Sequence, residues 1–223
     1  MKNKAYTKLS AAIIVLSLIN LAVSLVFVMA LPDKVPTHFT ADMVCDGEGS
    51  KWNGLIFSVV IAVIMPLGLF MAKKTANVEK NSKPLFISLP VIEIVLIALN
   101  WLINSLMKTN VKPGEKAAVN FMWLMPLVFS VLYIIIGNLF PTVRHNRAFG
   151  LRLPWTLKNK NCWNLSHRFA GKITVLTGIV LAVLTIVMKA AGAGDVFFFT
   201  ALMVSVGVIT IIPSVYAFAH RNA

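Results

Sequence analysis

Between residues 141 and 171 the chain reads PTVRHNRAFGLRLPWTLKNKNCWNLSHRFAG. Four arginines, Arg144, Arg147, Arg152 and Arg168, are interleaved with Phe149, Trp155, Trp163 and Phe169, and Pro141, Gly150, Pro154 and Gly171 punctuate the run. A guanidinium offers a planar fork that grips a phosphate or carboxylate through two hydrogen bonds, and indole rings suit the boundary between water and lipid headgroups. The pattern reads as an ordered element in a headgroup region, facing anions. A lipid anchor with no further task is the plainer alternative.

A second set sits in an apolar stretch. Glu93 is followed by Asn100 and Asn104, and at 100° per residue these offsets return to within about 20° of Glu93, so the three share one helical stripe. A carboxyl facing lipid is costly, so the stripe should face a bundle interior or a wet cavity. Two readings stay open: a contact for a proton, ion or ligand, or a Glu kept protonated or hydrogen-bonded to a neighbouring helix.

A third set lies in residues 31–52, LPDKVPTHFTADMVCDGEGSKW. Its two prolines favour extended chain, and Asp46-Gly47 and Glu48-Gly49 signal turns. His38, Asp42, Cys45, Asp46 and Glu48 are metal-ligand types, but their spacing matches no known site, and no metal is expected. Cys45 and Cys162 form no CxxC or zinc-type spacing. The four histidines are scattered, and no HExxH, GxSxG or paired carboxylates at a common depth occur, so neither an enzyme nor a cofactor is expected.

What must position these groups follows from composition. Of 223 residues, 58% are hydrophobic and 13% charged, with a mean hydropathy of +0.80. A single water-facing core cannot hide that much apolar surface, which excludes a soluble globule. Six apolar runs, at about 9–31, 53–72, 85–107, 119–140, 172–190 and 196–218, each approach the ~20 residues a helix needs to cross ~30 Å of hydrocarbon. The expected fold is an all-α, six-span integral membrane domain over 1–223, with an outer loop at 32–52 and an inner loop at 141–171.

Charge sets the orientation. With the amino terminus inside, fifteen of the 21 Lys and Arg residues fall on inner segments, while the six outer ones are matched by six acids. The positive-inside rule then puts both termini in the cytoplasm. The formal charge of +13 is thereby a topology signal, met by anionic headgroups, rather than a sign of nucleic-acid binding. Residues 1–8 form a basic segment, and Val28-Met29-Ala30 resembles a cleavage site, but the run of about 23 apolar residues exceeds the 7–15 of a signal-peptide core. An uncleaved first span is expected. Cys45 and Cys162 then lie on opposite sides and cannot pair.

Pro66, Pro90, Pro126 and Pro213 interrupt four spans, and hydroxyls and amides such as Asn20, Ser24, Ser130 and Tyr133 suggest helix packing. Trp52, Trp101, Trp123, Trp155 and Trp163 are distributed as interfacial anchors.

The string Pro141, Arg144, Asn146, Gly150, Leu151, Arg152, Pro154, Trp155, Thr156, Leu157, with Trp163 and His167-Arg168 before Gly171, resembles the signature of the SdpI family. Residues Leu31-Pro32-Asp33, Pro36-Thr37-His38-Phe39 and Gly49-Ser50-Lys51 resemble a domain of unknown function that often precedes it, although Met43-Val44-Cys45-Asp46 departs from that pattern at the tip. The resemblance implies a multi-pass immunity protein of a bacterial cytoplasmic membrane, protecting a producer from a secreted sporulation-delaying peptide. In the family prototype, toxin engagement is coupled to sequestration of a cytoplasmic repressor. The residues expected to matter are Arg144, Asn146, Gly150, Arg152, Pro154, Trp155, Trp163, His167 and Arg168 inside, and Pro36, His38 and Asp46 outside. The rival class is a small-solute or ion transporter built on the Glu93, Asn100 and Asn104 stripe.

Overall fold

A computed structural model of the chain describes residues 2–109, 111–118 and 121–223. In chain order it contains helix α1 (Lys2–Met29), strands β1 (Lys34–Phe39) and β2 (Cys45–Ser50), helices α2 (Ile56–Thr75), α3 (Ser82–Met107) and α4 (Leu124–Leu139), the short α5 (Pro154–Lys158), and helices α6 (Lys160–Ala190) and α7 (Asp195–Ala219). Short 3-10 turns lead into α2 at Lys51–Leu55 and out of α4 at Phe140–Thr142. With those turns, the six long helices are each long and apolar enough to cross a membrane. Apolar side chains such as Val26, Phe70 and Ile211 are more than 60% exposed. Such a surface suits lipid and not water.

Two three-helix groups make up the bundle. In the first, α1 packs on α2 and α3; in the second, α4 packs on α6 and α7; α3 and α4 form the main seam between them. The second group is drawn tight by glycine. A Cβ on Gly171 would lie 2.7 Å from the Gly137 carbonyl oxygen, one on Gly137 2.8 Å from the Val175 nitrogen, and one on Gly178 2.8 Å from the Ser130 carbonyl oxygen. Only hydrogen at these positions lets the α4 and α6 backbones approach so closely, which is how helices gain packing where lipid supplies no hydrophobic drive.

Several expectations change. Hydropathy starts the fourth span at 119; residues 119 and 120 lie outside the described ones, and α4 begins at Leu124. Pro126 does not interrupt it, because it lies in the first turn, where its missing N–H has no intrahelical partner to lose. Residues 160–171 are helix rather than loop. Asn159 starts that helix by accepting from the N–H groups of Asn161 and Cys162 at 2.8 and 3.2 Å, and its first turns escape a hydropathy search because they are amphipathic.

The segment after α1 is a hairpin. β1 and β2 pair antiparallel, Lys34 opposite Ser50 and Phe39 opposite Cys45, with irregular register around His38. The turns expected at Asp46-Gly47 and Glu48-Gly49 are instead strand; the reversal falls at Thr40–Val44, where Met43 takes a positive φ of 61°. The glycines serve proximity: a Cβ on Gly49 would meet Asn53 and Thr37 within 2.9 Å. A loop after α3 docks on the hairpin through Cys45 N–H to Glu115 O (2.9 Å) and Ala117 N–H to Met43 O (2.9 Å). Lys116 pairs with Asp195 at the start of α7 (3.2 Å).

The bundle thus has a hairpin end and an opposite end bearing both termini. At the latter, Asn159 Nδ2 donates to the carbonyl oxygen of Ala223 (2.6 Å), and Arg147 N–H reaches Thr75 O (3.4 Å).

Candidate functional site

The Arg- and Trp-rich segment crosses the termini end as a folded platform. Its centre is His167 on α6, buried and stacked on Trp163 one turn earlier, with ring centroids 4.0 Å apart and planes 22° apart. The Leu151 N–H donates to His167 Nε2 (3.1 Å), so that nitrogen carries no proton; Nδ1 must then donate to the Trp163 carbonyl oxygen (2.8 Å). Both ring nitrogens are used by one neutral tautomer, and the imidazole acts as a peg for the loop. Gly150 makes the approach possible. Its φ is +106°, and a Cβ there would collide with His167 Nε2. Trp163 Nε1 donates to Val143 O (3.0 Å), and the His145 ring stands edge-on to the indole at 5.0 Å.

Asn146 folds the loop from within. Its Oδ1 accepts from the N–H groups of Ala148 (2.7 Å) and Phe149 (3.0 Å), and its Nδ2 donates to Arg144 O (2.8 Å) and Phe149 O (3.2 Å). Pro154 opens α5 where no N–H is needed, and Thr156 Oγ1 accepts from Leu153 N–H (2.9 Å) and donates to Leu151 O (2.6 Å). Trp155 packs edge-on against Phe218 of α7 (5.2 Å).

This corrects the assignment of Trp163 as an interfacial anchor. It is wholly buried, because its one polar atom finds the Val143 carbonyl in the loop itself. Sequence reasoning also missed Asn81 in the turn between α2 and α3. It is buried, donates from Nδ2 to Ala76 O (2.6 Å) and accepts the Arg144 N–H at Oδ1 (2.7 Å), tying the platform to the first helix group. No local pattern marks an asparagine whose partner lies 63 residues away.

On this scaffold the four arginines point outward. Arg144, Arg147, Arg152 and Arg168 are all exposed, and none pairs with an acid among the described residues. Arg152 spends one N–H on Ala148 O (3.3 Å). A rigid base with unneutralised guanidinium groups can receive anionic headgroups or acidic protein surfaces.

At the other end, His38 Nδ1 lies 2.5 Å from Asp46 Oδ1 across the two strands, both side chains exposed, while Pro36 is buried in β1. Among the described residues no group of three His, Cys, Asp or Glu is placed to hold a metal. Both cysteines are free and buried, Cys45 in the hairpin and Cys162 in α6, with the Cys162 thiol donating to Ala217 O (3.4 Å).

Between the ends, Glu93, Asn100 and Asn104 are buried against α1. Ser17 Oγ donates to Glu93 Oε1 (2.7 Å), Asn100 Nδ2 donates to Ser24 Oγ (3.1 Å), and Trp101 Nε1 donates to Asn20 Oδ1 (3.0 Å). Glu93 Oε2 and both amide atoms of Asn104 have no hydrogen-bond partner among the described residues.

Six helices long and apolar enough to cross a membrane, with a built arginine platform at one end of the bundle and a polar hairpin at the other, make the chain a candidate multi-span membrane protein. Residues 142–217, from the platform into the last turn of α7, match the SdpI/YfhL protein family. It is similar to the immunity protein SdpI of Bacillus subtilis (strain 168), with 26% identity over 180 residues covering 77% of this chain and 79% of the relative. No solved structure matches it.

Proposed function

We propose that this chain is an SdpI-like immunity protein of a bacterial cytoplasmic membrane, protecting its cell from a secreted, membrane-active peptide. The single observation that carries this reading is that the family segment coincides with the His167-centred platform, whose buried residues serve to present exposed arginines. The basic platform and both termini face the cytoplasm, in accord with the excess of Lys and Arg at that end. The hairpin end faces outward and meets the peptide. Where signalling accompanies protection, the platform binds a cytoplasmic repressor once toxin engagement favours one arrangement of the bundle, which needs a difference in toxin affinity between two states.

The test is survival of a toxin-sensitive, immunity-deficient bacterium challenged with the sporulation-delaying peptide. Cells expressing the chain are compared with an empty vector and with Arg152→Ala. Protection by the wild type and its loss in a membrane-inserted variant support the reading. Equal killing of wild type and empty vector, with insertion verified, counts against it.

The buried carboxyl oxygen of Glu93, without a partner among the described residues, favours a second reading, a small-solute or ion transporter using Glu93, Asn100 and Asn104. On that reading Glu93→Gln abolishes activity and Arg152→Ala weakens it; immunity through the platform predicts the reverse order.

A further inference from the structure

A cleft of about 510 Å³ opens at the seam between the two helix groups, on the termini side. Its walls are apolar: Met71 and Ala72 of α2, Leu85 and Leu89 of α3, Ile136 and Phe140 at the end of α4. The platform roofs it through Phe149, Gly150 and Arg152. Along α3 the lining runs from Pro84 to Ile92, about 12 Å at 1.5 Å per residue. That is close to the ~15 Å of hydrocarbon in one leaflet. The cleft thus sets about 12 Å of largely apolar lining along α3 beside a cation from the platform.

Arg152 supplies the charge that chooses the occupant. Its guanidinium has five N–H donors, of which one contacts Ala148 O, and no carboxylate pairs with it among the described residues. A water-filled apolar cleft of this size inside a bilayer is unfavourable, and a lipid tail fills it without leaving a polar group unpaired. A phosphate beside Arg152 completes the fork geometry.

We propose that this cleft is a specific site for one anionic phospholipid of the leaflet on the termini side, with its phosphate held by Arg152 and one acyl chain lying between α2, α3 and α4. Bound there, the lipid bridges the two helix groups where they share their main seam, so its occupancy bears on how the groups sit together.

The test is native mass spectrometry of the detergent-purified full chain titrated with phosphatidylglycerol or phosphatidylcholine. One phosphatidylglycerol is retained per chain, about tenfold tighter than phosphatidylcholine, as a charge-assisted contact provides. Arg152→Gln removes that preference. Gly68→Phe blocks both lipids, because Gly68 lines the cleft and a Cβ there meets nothing within 4 Å, so the ring has space to occupy without disturbing the fold. Soluble glycerol 3-phosphate does not compete, since it lacks the chain. The proposal is overturned if Arg152→Gln and Gly68→Phe, melting as the wild type does, both retain phosphatidylglycerol at wild-type affinity. It is overturned equally if glycerol 3-phosphate displaces the lipid.

Discussion

The Leu151 N–H points at His167 Nε2 from 3.1 Å, and Gly150, the residue before it, has no room for a side chain against the same ring. Leu151 and His167 are sixteen residues apart, yet they fix where the arginine segment sits on α6. Placing any Cβ at Gly150 requires both a strained φ of +106° and displacement of the imidazole. Gly150→Ala is expected to cost about 1–3 kcal/mol, read as a lower unfolding temperature in detergent, with protection reduced in the survival assay.

His167→Phe separates stacking from hydrogen bonding. The ring still lies on Trp163, but the Leu151 N–H loses its acceptor and the Trp163 carbonyl, already bonded within the helix, its second donor. Loss of a buried partner costs about 1–3 kcal/mol. In vesicles exposing the platform, trypsin should cut faster at Arg147 and Arg152 than in the wild type. Unchanged cleavage would mean the peg does not hold the loop.

Gly171→Leu tests the close approach of α4 and α6. The new side chain meets the Gly137 carbonyl and the ring of Pro141, neither of which can yield cheaply. A drop in melting temperature larger than that of Gly207→Leu is expected, because nothing lies within 4 Å of a Cβ at Gly207.

Glu93→Gln keeps an oxygen for the Ser17 hydroxyl and removes the ionisable group. Under the immunity reading the variant protects as the wild type does. A complete loss of protection, with the protein inserted, would shift the weight to the transport reading.

His38→Ala removes an exposed cross-strand pair whose side chains are 73% and 44% accessible. Its effect on stability should stay below about 1 kcal/mol. A loss of protection at unchanged melting temperature would therefore mark the hairpin as the surface that meets the peptide.

Much of this protein was legible residue by residue. Six apolar runs of membrane-crossing length have one economical solution, because every backbone group in hydrocarbon must find its partner within its own helix. The stripe of Glu93, Asn100 and Asn104 was equally local, a matter of 100° steps along one element. The motif that resembles the SdpI family was legible too, and residues 142–217 match that family. Tertiary structure decided the rest. That Ser17, Asn20 and Ser24 of α1 face the α3 stripe depends on which helices pack together, and Asn81 joins Arg144 only because the α2–α3 turn meets the platform. Trp163 and His167 look like surface residues in a basic segment, yet both are buried, since the Val143 carbonyl and the Leu151 N–H, brought onto α6 by the loop, satisfy the indole N–H and the imidazole Nε2. Periodicity determines which residues share a face; only long-range packing determines what that face meets.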